Sequence, residues 1–393
     1  MRIAIFSDNF YPELGGIQDS VAALARGLGE RGHRVKIYAP KPSLKDFFLG
    51  HLPVGELDLG PNVTVERLFS FHQKTPVGQT RKVIPTGRSY FSLKKFKPDV
   101  VHTHNFFGMG FEALWSAKWL GVPLVGTNHT AITEFIKGSP FPKKFSEKYS
   151  LKFVSWYYNH CGIVTAPSQS VFTEMIANTF SRPHQVISNP IDTGTFFRVN
   201  ENIKQDLKQR LGLSPHTFVF AGRFSPEKHI DLLVKALGIL KKTIPDVMFA
   251  LAGHGTEQPI LEKLAAELGV TENLKFFGTL SKPQLAELYQ ASEVFAIASS
   301  CETQGLVMMQ AFACGLPAVG VRVRALGEYI TEKNGILVEG GDYEAMAEKL
   351  LFLFENPAQA GQLGAGAYEF VQQFSVEKVL QTWEDLYANV LKK

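Results

Sequence analysis

Residues 294–320, VFAIASSCETQGLVMMQAFACGLPAVG, contain a strand, a turn, a helix and the start of a second strand. The apolar run at the beginning predicts a buried strand. Leu306, Met309 and Ala313 then recur at helical spacing, before an apolar run ends the segment. Two buried strands joined through a helix pair in parallel, because the helix returns the chain to the same end of the sheet. The segment therefore predicts an α/β fold with a parallel sheet.

The same alternation of apolar strands and helical stretches extends over the whole chain. Before residue 200 the predicted strands are 2–6, 35–39, 99–102, 122–126 and 161–166. After residue 200 they include 217–222, 247–253 and 274–278. A turn-rich segment at 189–195 separates the two series. We therefore predict two Rossmann-like, doubly wound domains, 1–195 and 196–374, that face each other across a cleft and bind ligands at the carboxyl ends of their strands.

Composition excludes several classes of protein. Of the 393 residues, 45% are hydrophobic and 20% are charged, as in a globular protein with an ample core. No apolar run approaches the roughly 20 residues that span a bilayer, and Asp8 follows the first apolar run too soon for a signal peptide. Cys161, Cys301 and Cys314 are too few and too scattered for a disulfide framework. We expect a cytoplasmic protein.

Charge is distributed unevenly along the chain. Residues 1–200 contain 23 Lys/Arg and 14 Asp/Glu, a net charge of +9, whereas residues 201–393 carry −5. Within 141–156 the lysines Lys144, Lys148 and Lys152 recur at helical spacing beside Phe145, Tyr149 and Phe153, and further cations are Lys82, Arg88, Lys94, Lys95 and Lys97. Such a helix can lie on an anionic bilayer surface. Alternatively, the rings belong to the core and the lysines are merely solvated. No nucleic-acid-reading motif is present, so we expect no nucleic-acid partner.

Two features favour an anion site in the second half of the chain. At 305–307 a helix begins at a glycine, and its unpaired amide groups favour negative charge. Arg223 and Lys228 flank the end of the strand 217–222, where a guanidinium and an ammonium together can neutralise a diphosphate. Glu302 would repel phosphate, so it is better suited to accept hydrogen bonds from sugar hydroxyls. The alternatives are an ordinary capped helix and two solvated surface cations.

Three histidines in the first half are candidates for a site. Strand alternation puts His102 and His104 on one face at the end of a strand, and His129 follows the next strand. Three histidines can bind a metal, but no acidic or cysteine partner accompanies them and the chain has no Asp-x-Asp pair. We therefore expect no metal, a core or supporting role for His102, and a functional role for His129.

Residues 302–310 resemble the Glu-x7-Glu motif of retaining glycosyltransferases with the GT-B fold, the glycosyl transferases group 1 family. Further segments resemble this family's motifs in the family's order: the turn Gly15-Gly16, the His-x-His end of 101–104, 126–130 around His129, the Gly-Arg…Lys clamp of 222–228, and the Gly-x-Gly turn 253–255. The form Glu-Thr-Gln-Gly at 302–305 is similar to that of diacylglycerol glucosyltransferases. The resemblance covers nearly the whole chain.

The resemblance implies roles for named residues. The catalytic residues would be His129, Glu302, Arg223 and Lys228, with His129 facing the donor sugar. Nucleotide-sugar binding would involve Gly16, Gly222, Gly278, Gly305, Leu306, Val307 and Gln310. Gln310 stands where the family has its second motif acid, a ribose-hydroxyl acceptor, and a neutral amide accepts a weaker hydrogen bond. The resemblance also implies that a C-terminal helix, about 375–393, returns to the first domain and that no cofactor or metal is required.

We therefore expect a retaining, metal-independent hexosyltransferase. Its donor would be a nucleotide-diphosphate sugar such as UDP-glucose, and its acceptor a membrane lipid such as diacylglycerol, reached from the inner face of the membrane. The alternatives are a transferase that builds a surface polysaccharide or glycan, and a non-catalytic protein that binds sugar nucleotides. A nucleotide-dependent dehydrogenase is disfavoured, because neither opening strand is followed by Gly-x-Gly-x-x-Gly.

Overall fold

The computed structural model describes residues 1–13, 15–49, 53–72, 81–131 and 143–392, with only the backbone for residue 49 and for 143–148. The chain divides into two compact units. The first comprises Met1–Pro190 together with Val376–Lys393, and the second comprises Ile191–Ser375. Among the helices in the described ranges, none combines the length and the apolar character that crossing a membrane requires.

The first unit is built around a parallel sheet. Strands β1 to β9 are Arg2–Phe6, Arg34–Pro40, Val63–Leu68, Phe71–His72, Arg81–Lys82, Val100–Thr103, Leu124–Thr127, Ile163–Ala166 and His184–Val186. Helices α1 to α6 are Gly16–Glu30, Leu44–Leu49, Ser89–Phe96, Gly108–Leu120, Lys143–Tyr158 and Gln169–Ile176. In the described ranges, seven strands form one parallel sheet in the order β3-β2-β1-β6-β7-β8-β9, and β4 pairs separately with β5.

Register brings the ends of the central strands to one edge of this sheet. Ile5 of β1 pairs with His102 of β6, and His102 pairs with Val125 of β7. The central strands are buried on both faces, which explains why their sequences are continuous apolar runs. The segments that follow β1, β6 and β7 therefore emerge side by side, and they contain the polar residues of the first unit's candidate site.

The second unit repeats this design. Strands β10 to β15 are Thr217–Ala221, Met248–Ala252, Leu274–Gly278, Val294–Ile297, Ala318–Val321 and Gly335–Val338. Helices α7 to α14 are Glu201–Leu211, Ile230–Leu240, Gln258–Glu267, Lys282–Gln290, Leu306–Ala313, Leu326–Tyr329, Tyr343–Glu355 and Pro357–Val371. Short 3₁₀ turns lie at Pro226–Lys228, Thr271–Asn273 and Gln372–Phe374. The six strands form a parallel sheet in the order β12-β11-β10-β13-β14-β15.

Strand order in the second sheet determines where a ligand can bind. β10 lies between β11 and β13, so successive strands add on one side of β10 and then on the other. A crevice forms outside the carboxyl ends of the strands at such a change of direction. The segments after β10, β11 and β13 meet there, and they include the predicted phosphate clamp and Glu302.

The last helix, α15, spans Val376–Leu391 and belongs to the first unit. The Tyr387 hydroxyl lies 2.7 Å from Nδ1 of His102, and Arg31 forms a 2.5 Å ion pair with Glu384. The chain thus returns to its first unit after completing the second, as the resemblance implies. Two units of helices on parallel sheets, with this return, confirm the predicted GT-B fold class.

Candidate functional site

Glycines bring the segments after β10 and β11 against each other. The Gly222 amide donates to the Ala252 carbonyl at 2.9 Å. A Cβ on Gly253 would lie 1.9 Å from the Gly222 oxygen, and one on Gly255 would lie 2.1 Å from the Phe224 oxygen. Gly253 also has φ +128°. Only glycine permits both this backbone conformation and this close approach.

Lys228 and Glu302 form an ion pair at this edge of the sheet. Nζ of Lys228 donates to Oε1 of Glu302 at 2.6 Å, and both side chains are largely buried. Burial is the largest single influence and acts to lower the pKa of Lys228, but the charge and hydrogen bond of Glu302, together with Cys301 and Glu227, raise the pKa above its usual value. The ammonium has three donors, so Lys228 can bind an anion while it remains bonded to Glu302.

Arg223 is held beside Lys228 by Glu227, a residue of the 222–228 clamp for which no role was predicted. Nη2 of Arg223 lies 3.1 Å from Oε1 of Glu227, and the Ser225 hydroxyl donates to the same oxygen at 2.6 Å. Burial acts to raise the pKa of Glu227, but the Ser225 hydrogen bond and the Arg223 charge hold it below its usual value. Arg223 remains 47% exposed and is accessible to a ligand. The sequence signal for this role of Glu227 was its position four residues after Arg223.

The start of α11 completes the second unit's site. Gly305 precedes the helix in the left-handed conformation, with φ +77° and no side-chain cap. The amides of Leu306 and Val307 are the first of α11, where amides have no partner within the helix, so they are suited to donate to a ligand. Gln310 is buried one turn further along. At the end of β12, the Gly278 carbonyl accepts from the Gly253 amide at 2.7 Å, so Gly278 also lies at this edge.

In the second unit the structure therefore brings together two cations, a helix start and a carboxylate. Guanidinium, ammonium and helix amides all favour the charge of a diphosphate. Glu302 can accept hydrogen bonds from neutral hydroxyl groups such as those of a sugar. The arrangement can thus hold a group that is anionic at one end and hydroxylated at the other, such as a sugar diphosphate.

His102 lies within the core of the first unit. Its Nδ1 lies 2.7 Å from the Tyr387 hydroxyl and its Nε2 lies 2.7 Å from the Thr127 hydroxyl. Burial lowers the pKa of His102 to about 3, so the ring is neutral near pH 7. With both nitrogens engaged, His102 joins β6, β7 and α15, in agreement with the predicted core or supporting role.

His104 and His129 form a second pair at the same edge. Nδ1 of His104 lies 2.9 Å from Nε2 of His129. Burial lowers the pKa of His129 to about 4 and that of His104 well below its usual value. In the described part of the chain, no group of three or more His, Cys, Asp and Glu side chains is arranged to hold a metal ion.

Asp8 is a candidate that the sequence analysis missed. It follows β1 and is buried, and its Oδ1 accepts from the Met109 amide at 3.0 Å, at the start of α4. Its Oδ2 has no hydrogen-bond partner among the described residues. Burial is the main cause that raises the pKa of Asp8, to about 6. The available signal was an acid directly after a buried strand. Gly16, the predicted nucleotide-binding glycine of this unit, is the first residue of α1.

The basic and aromatic stretch 141–156 forms most of α5. The side chains of Lys144, Phe145 and Lys148 lie outside the described residues. Lys152, Tyr149 and Phe153 are exposed. The alternative in which the rings belong to the core is therefore wrong for Tyr149 and Phe153.

Two family models match the chain and together span most of it. The model described as glycosyltransferase family 4 matches residues 14–195, and the model described as glycosyl transferases group 1 matches residues 201–370. The boundary between the matches falls close to the boundary between the two structural units. Both models thus agree with the resemblance based on motifs.

Whole-chain relatives extend this similarity. The chain is 29% identical to an alpha-monoglucosyldiacylglycerol synthase of Acholeplasma laidlawii, over 100% of this chain and 98% of the relative. It is 28% identical to a D-inositol 3-phosphate glycosyltransferase of Xylanimonas cellulosilytica, over 100% and 97%. Among solved structures, Anabaena Alr3699/HepE in complex with UDP-glucose has a TM-score of 0.77 at 20% identity, covering 99% of this chain and 100% of that one.

Proposed function

Because the chain belongs to the glycosyl transferases group 1 family, we propose that it transfers a hexose from a nucleotide-diphosphate sugar to a membrane lipid, with UDP-glucose as donor and diacylglycerol as acceptor. The observation that carries the proposal is the Lys228–Glu302 pair beside the start of α11. It joins a charge suited to phosphate with an acceptor suited to sugar hydroxyls. We assign the donor to the second unit and the acceptor to the first.

The main demand on the enzyme is to stabilise the leaving diphosphate. When the bond between the anomeric carbon and phosphate breaks, negative charge develops on the diphosphate oxygens. Arg223 and Lys228 neutralise this charge, and the amides of Leu306 and Val307 donate to it. These groups are held in place before the substrate arrives, so little reorganisation is needed during reaction. We propose that this protein charge takes the place of a divalent metal, so that transfer proceeds without one.

Glu302 and His129 have separate parts in this proposal. Glu302 accepts hydrogen bonds from the sugar hydroxyls while it remains paired with Lys228. His129 is neutral and is assigned to the donor sugar by the family resemblance. Retention of configuration is likewise carried over from the family, whose front-face reaction needs no carboxylate nucleophile. The product would therefore keep the α-configuration of the donor.

The acceptor rests on two observations. One relative over the whole chain is named for a diacylglycerol product, and residues 1–200 carry a net charge of +9, which favours an anionic membrane surface. We accordingly propose a peripheral location on the inner face of the membrane. A soluble phosphorylated acceptor is the second candidate, because a relative of nearly equal identity is named for inositol phosphate. A polysaccharide or glycan acceptor stays the further alternative.

A screen of donors against acceptors tests the proposal. UDP-glucose, UDP-galactose, UDP-N-acetylglucosamine and GDP-mannose are each combined with diacylglycerol, inositol phosphate and a glycan primer, with and without EDTA. Mass spectrometry then identifies the products. We expect hexosyl-diacylglycerol from UDP-glucose, at a rate that EDTA leaves unchanged. Transfer only to inositol phosphate or to the glycan would overturn the lipid acceptor, and nucleotide binding without any transfer would favour the non-catalytic alternative.

A further inference from the structure

Aromatic side chains form a connected ridge across α3, α4 and α5 of the first unit, in which Tyr90, Phe111 and Trp115 are half-buried and the other rings are exposed. The aromatic ridge consists, in spatial order, of Tyr90, Trp119, Trp115, Phe111, Phe153 and Trp156. Adjacent ring centroids lie 5.6 to 6.3 Å apart. Phe91 extends it beyond Tyr90, with 5.5 Å between their centroids. Phe91 is 69% exposed, Trp119 56% and Trp156 47%. Single exposed rings are ordinary on a protein surface, but a connected series of this kind marks an interaction site.

Cations accompany the aromatic ridge. On α3 and α4 the exposed charged side chains are Lys94, Lys95 and Lys118. The one acid of these two helices, Glu112, is buried and accepts hydrogen bonds from the amides of Gly87 and Ser89. The exposed charge of both helices is therefore entirely positive.

Positive charge lies on both flanks of α3. On the flank that meets the aromatic ridge, Nζ of Lys94 lies 5.9 Å from the centre of the Tyr90 ring. On the other flank, a recess of about 350 Å³ between α3 and the strands β2 and β3 is lined by Arg34, Lys36 and Lys95. Lys36 is paired with Glu66, so the recess keeps net positive charge from Arg34 and Lys95.

We propose that the aromatic ridge and its flanking cations dock this protein on an anionic lipid bilayer. Indole and phenol rings have an apolar body and a polar tip, which suits the boundary between lipid headgroups and acyl chains. The lysines then face the lipid phosphates. A protein partner fits less well, because protein interfaces are depleted in lysine. This inference rests on the proposed function in that a membrane acceptor requires the enzyme to reach the membrane.

The inference differs from the sequence analysis in the residues it names. The sequence pattern pointed to the lysines and rings of α5, Phe153 among them, and to cations that include Lys94 and Lys95. It did not point to α4, which contributes Phe111, Trp115 and Trp119 at four-residue intervals. Each of these three rings contacts another member of the ridge. The surface therefore spans three separate helices, whereas the pattern seen in the sequence lies mainly within one helix.

Binding to vesicles tests the docking surface directly. The whole chain is mixed with vesicles of phosphatidylcholine alone or of equal parts phosphatidylcholine and phosphatidylglycerol, at low and high salt. Binding is measured by sedimentation and by tryptophan emission. Three of the four tryptophans lie on the ridge and the fourth is buried, so docking should shift the emission to shorter wavelength. We expect binding to the anionic vesicles that weakens at high salt.

Two sets of variants distinguish the contribution of the rings to vesicle binding from that of the charges. The change Phe91→Ser with Trp119→Ser should weaken binding to anionic vesicles about tenfold or more, since each removes exposed apolar area that docking would bury. The change Lys94→Glu with Lys95→Glu should weaken it to a similar extent and reduce its salt dependence. The matched controls in the second unit are Phe352→Ser, with a ring 43% exposed, and Lys242→Glu. Circular dichroism verifies that each variant is folded.

The outcomes are distinct. Wild-type protein that ignores anionic vesicles, or binding that the ridge variants retain in full, overturns the proposal. The proposal also fails if the ridge variants bind vesicles as the wild type does and lose only self-association, measured by analytical ultracentrifugation, or only binding to another protein. Transfer to dihexanoylglycerol, a dissolved acceptor, tests the proposed function separately. Ridge variants should keep this transfer and lose transfer to vesicle-borne diacylglycerol. Docking without transfer to any acceptor would refute the function and leave the docking surface standing.

Discussion

Lys228 and Glu302 hold opposite charges 2.6 Å apart in a largely buried position, so a bound sugar diphosphate must share this pair rather than find either group free. Arg223 differs, because it is about half exposed and bonded to Glu227 at the surface. The two cations of the clamp therefore have different consequences when they are removed. Removal of Lys228 should affect both stability and ligand binding, whereas removal of Arg223 should affect mainly ligand binding.

Replacing either cation by alanine should reveal this difference. Arg223→Ala and Lys228→Ala should each lower turnover by about 100-fold or more, as is typical when a preorganised charge stabiliser is lost. Only Lys228→Ala should also lower the free energy of unfolding, by about 3 kcal/mol, because it leaves Glu302 without its partner. Turnover and urea denaturation measure the two effects, with Lys235→Ala as the control. Near-wild-type turnover in both variants would remove the clamp from the mechanism.

Gln310 stands where the family motif has its second acid. If Gln310 accepts a bond from a ribose hydroxyl, Gln310→Glu should preserve UDP affinity or raise it up to about tenfold, because a charged acceptor makes the stronger bond. Gln310→Leu, which removes the acceptor, should lower the affinity. Isothermal titration calorimetry measures both variants. A Glu variant that binds UDP more weakly than the Leu variant would contradict the ribose assignment.

Asp8 should make the stability of the first unit fall as pH rises. Its pKa is raised from 3.8 to about 6 in the folded chain, so the folded state binds more protons than the unfolded state between these values. Asp8 therefore destabilises the fold progressively from pH 4 to above pH 6. Relative to wild type, Asp8→Asn should gain about 3 kcal/mol in unfolding free energy between pH 4 and pH 8.

Denaturation monitored by tryptophan fluorescence at several pH values measures this gain. All four tryptophans, Trp115, Trp119, Trp156 and Trp383, lie in the first unit, as does Asp8. Asp58→Asn, at an exposed acid of the same unit, serves as the control. A difference between wild type and Asp8→Asn that stays constant with pH would contradict the raised pKa.

At the scale of elements, the buried central strands of the first unit were predictable and its two edge strands were not. The apolar run 2–6 predicted β1 to the residue, and 217–222 predicted β10 within one. No apolar run marks β3, whose residues alternate between apolar and polar at the edge of the sheet, or the exposed β9, and neither strand was predicted. Such strands lack the continuous burial that produces an apolar run.

Helix α7 shows a second limit. No helix was predicted between the turn-rich segment 189–195 and the strand 217–222, but Glu201–Leu211 is helical. The Asn200 side chain caps it by accepting from the Ile203 amide at 3.0 Å, and Gly212 ends it in the left-handed conformation. Both capping residues were visible in the sequence. The helix was missed because its surface is mostly polar and hydrophobic periodicity was the criterion.

The return of α15 to the first unit depends in part on one hydrogen bond. Tyr387→Phe should lower the free energy of unfolding of the first unit by about 1–3 kcal/mol, because Nδ1 of His102 would be left buried without its partner. Urea denaturation followed by tryptophan fluorescence reports on this unit. Tyr149→Phe, at an exposed ring, is the control and should be neutral. Equal stability of both variants would show that packing alone holds α15.

At the scale of the molecule, the sequence indicated which residues have the chemistry that a site needs. It indicated less well which of them contact each other. Motif order pointed to Arg223, Lys228 and Glu302, and the structure brings the last two into contact. The buried carboxyl of Asp8 and the ridge that joins α3, α4 and α5 were not predicted. The ridge arises from residues on three separate helices, whose proximity depends on helix packing rather than on any local pattern. An acid directly after a strand was visible at Asp8, but its burial depends on packing against α4, which is far away in sequence.

Each unit has its own hydrophobic core, with the cores drawn from separate parts of the chain. We therefore expect two unfolding transitions, and UDP should stabilise only the second unit. At 100 times the dissociation constant, UDP should raise the free energy of unfolding of that unit by about 2.7 kcal/mol. Tryptophan fluorescence, which reports on the first unit alone, should not respond, whereas far-ultraviolet circular dichroism, which reports on both units, should show one shifted transition. Arg223→Ala should reduce the shift. Coincident transitions without UDP would contradict independent cores, and a shift seen only by fluorescence would move the nucleotide site to the first unit.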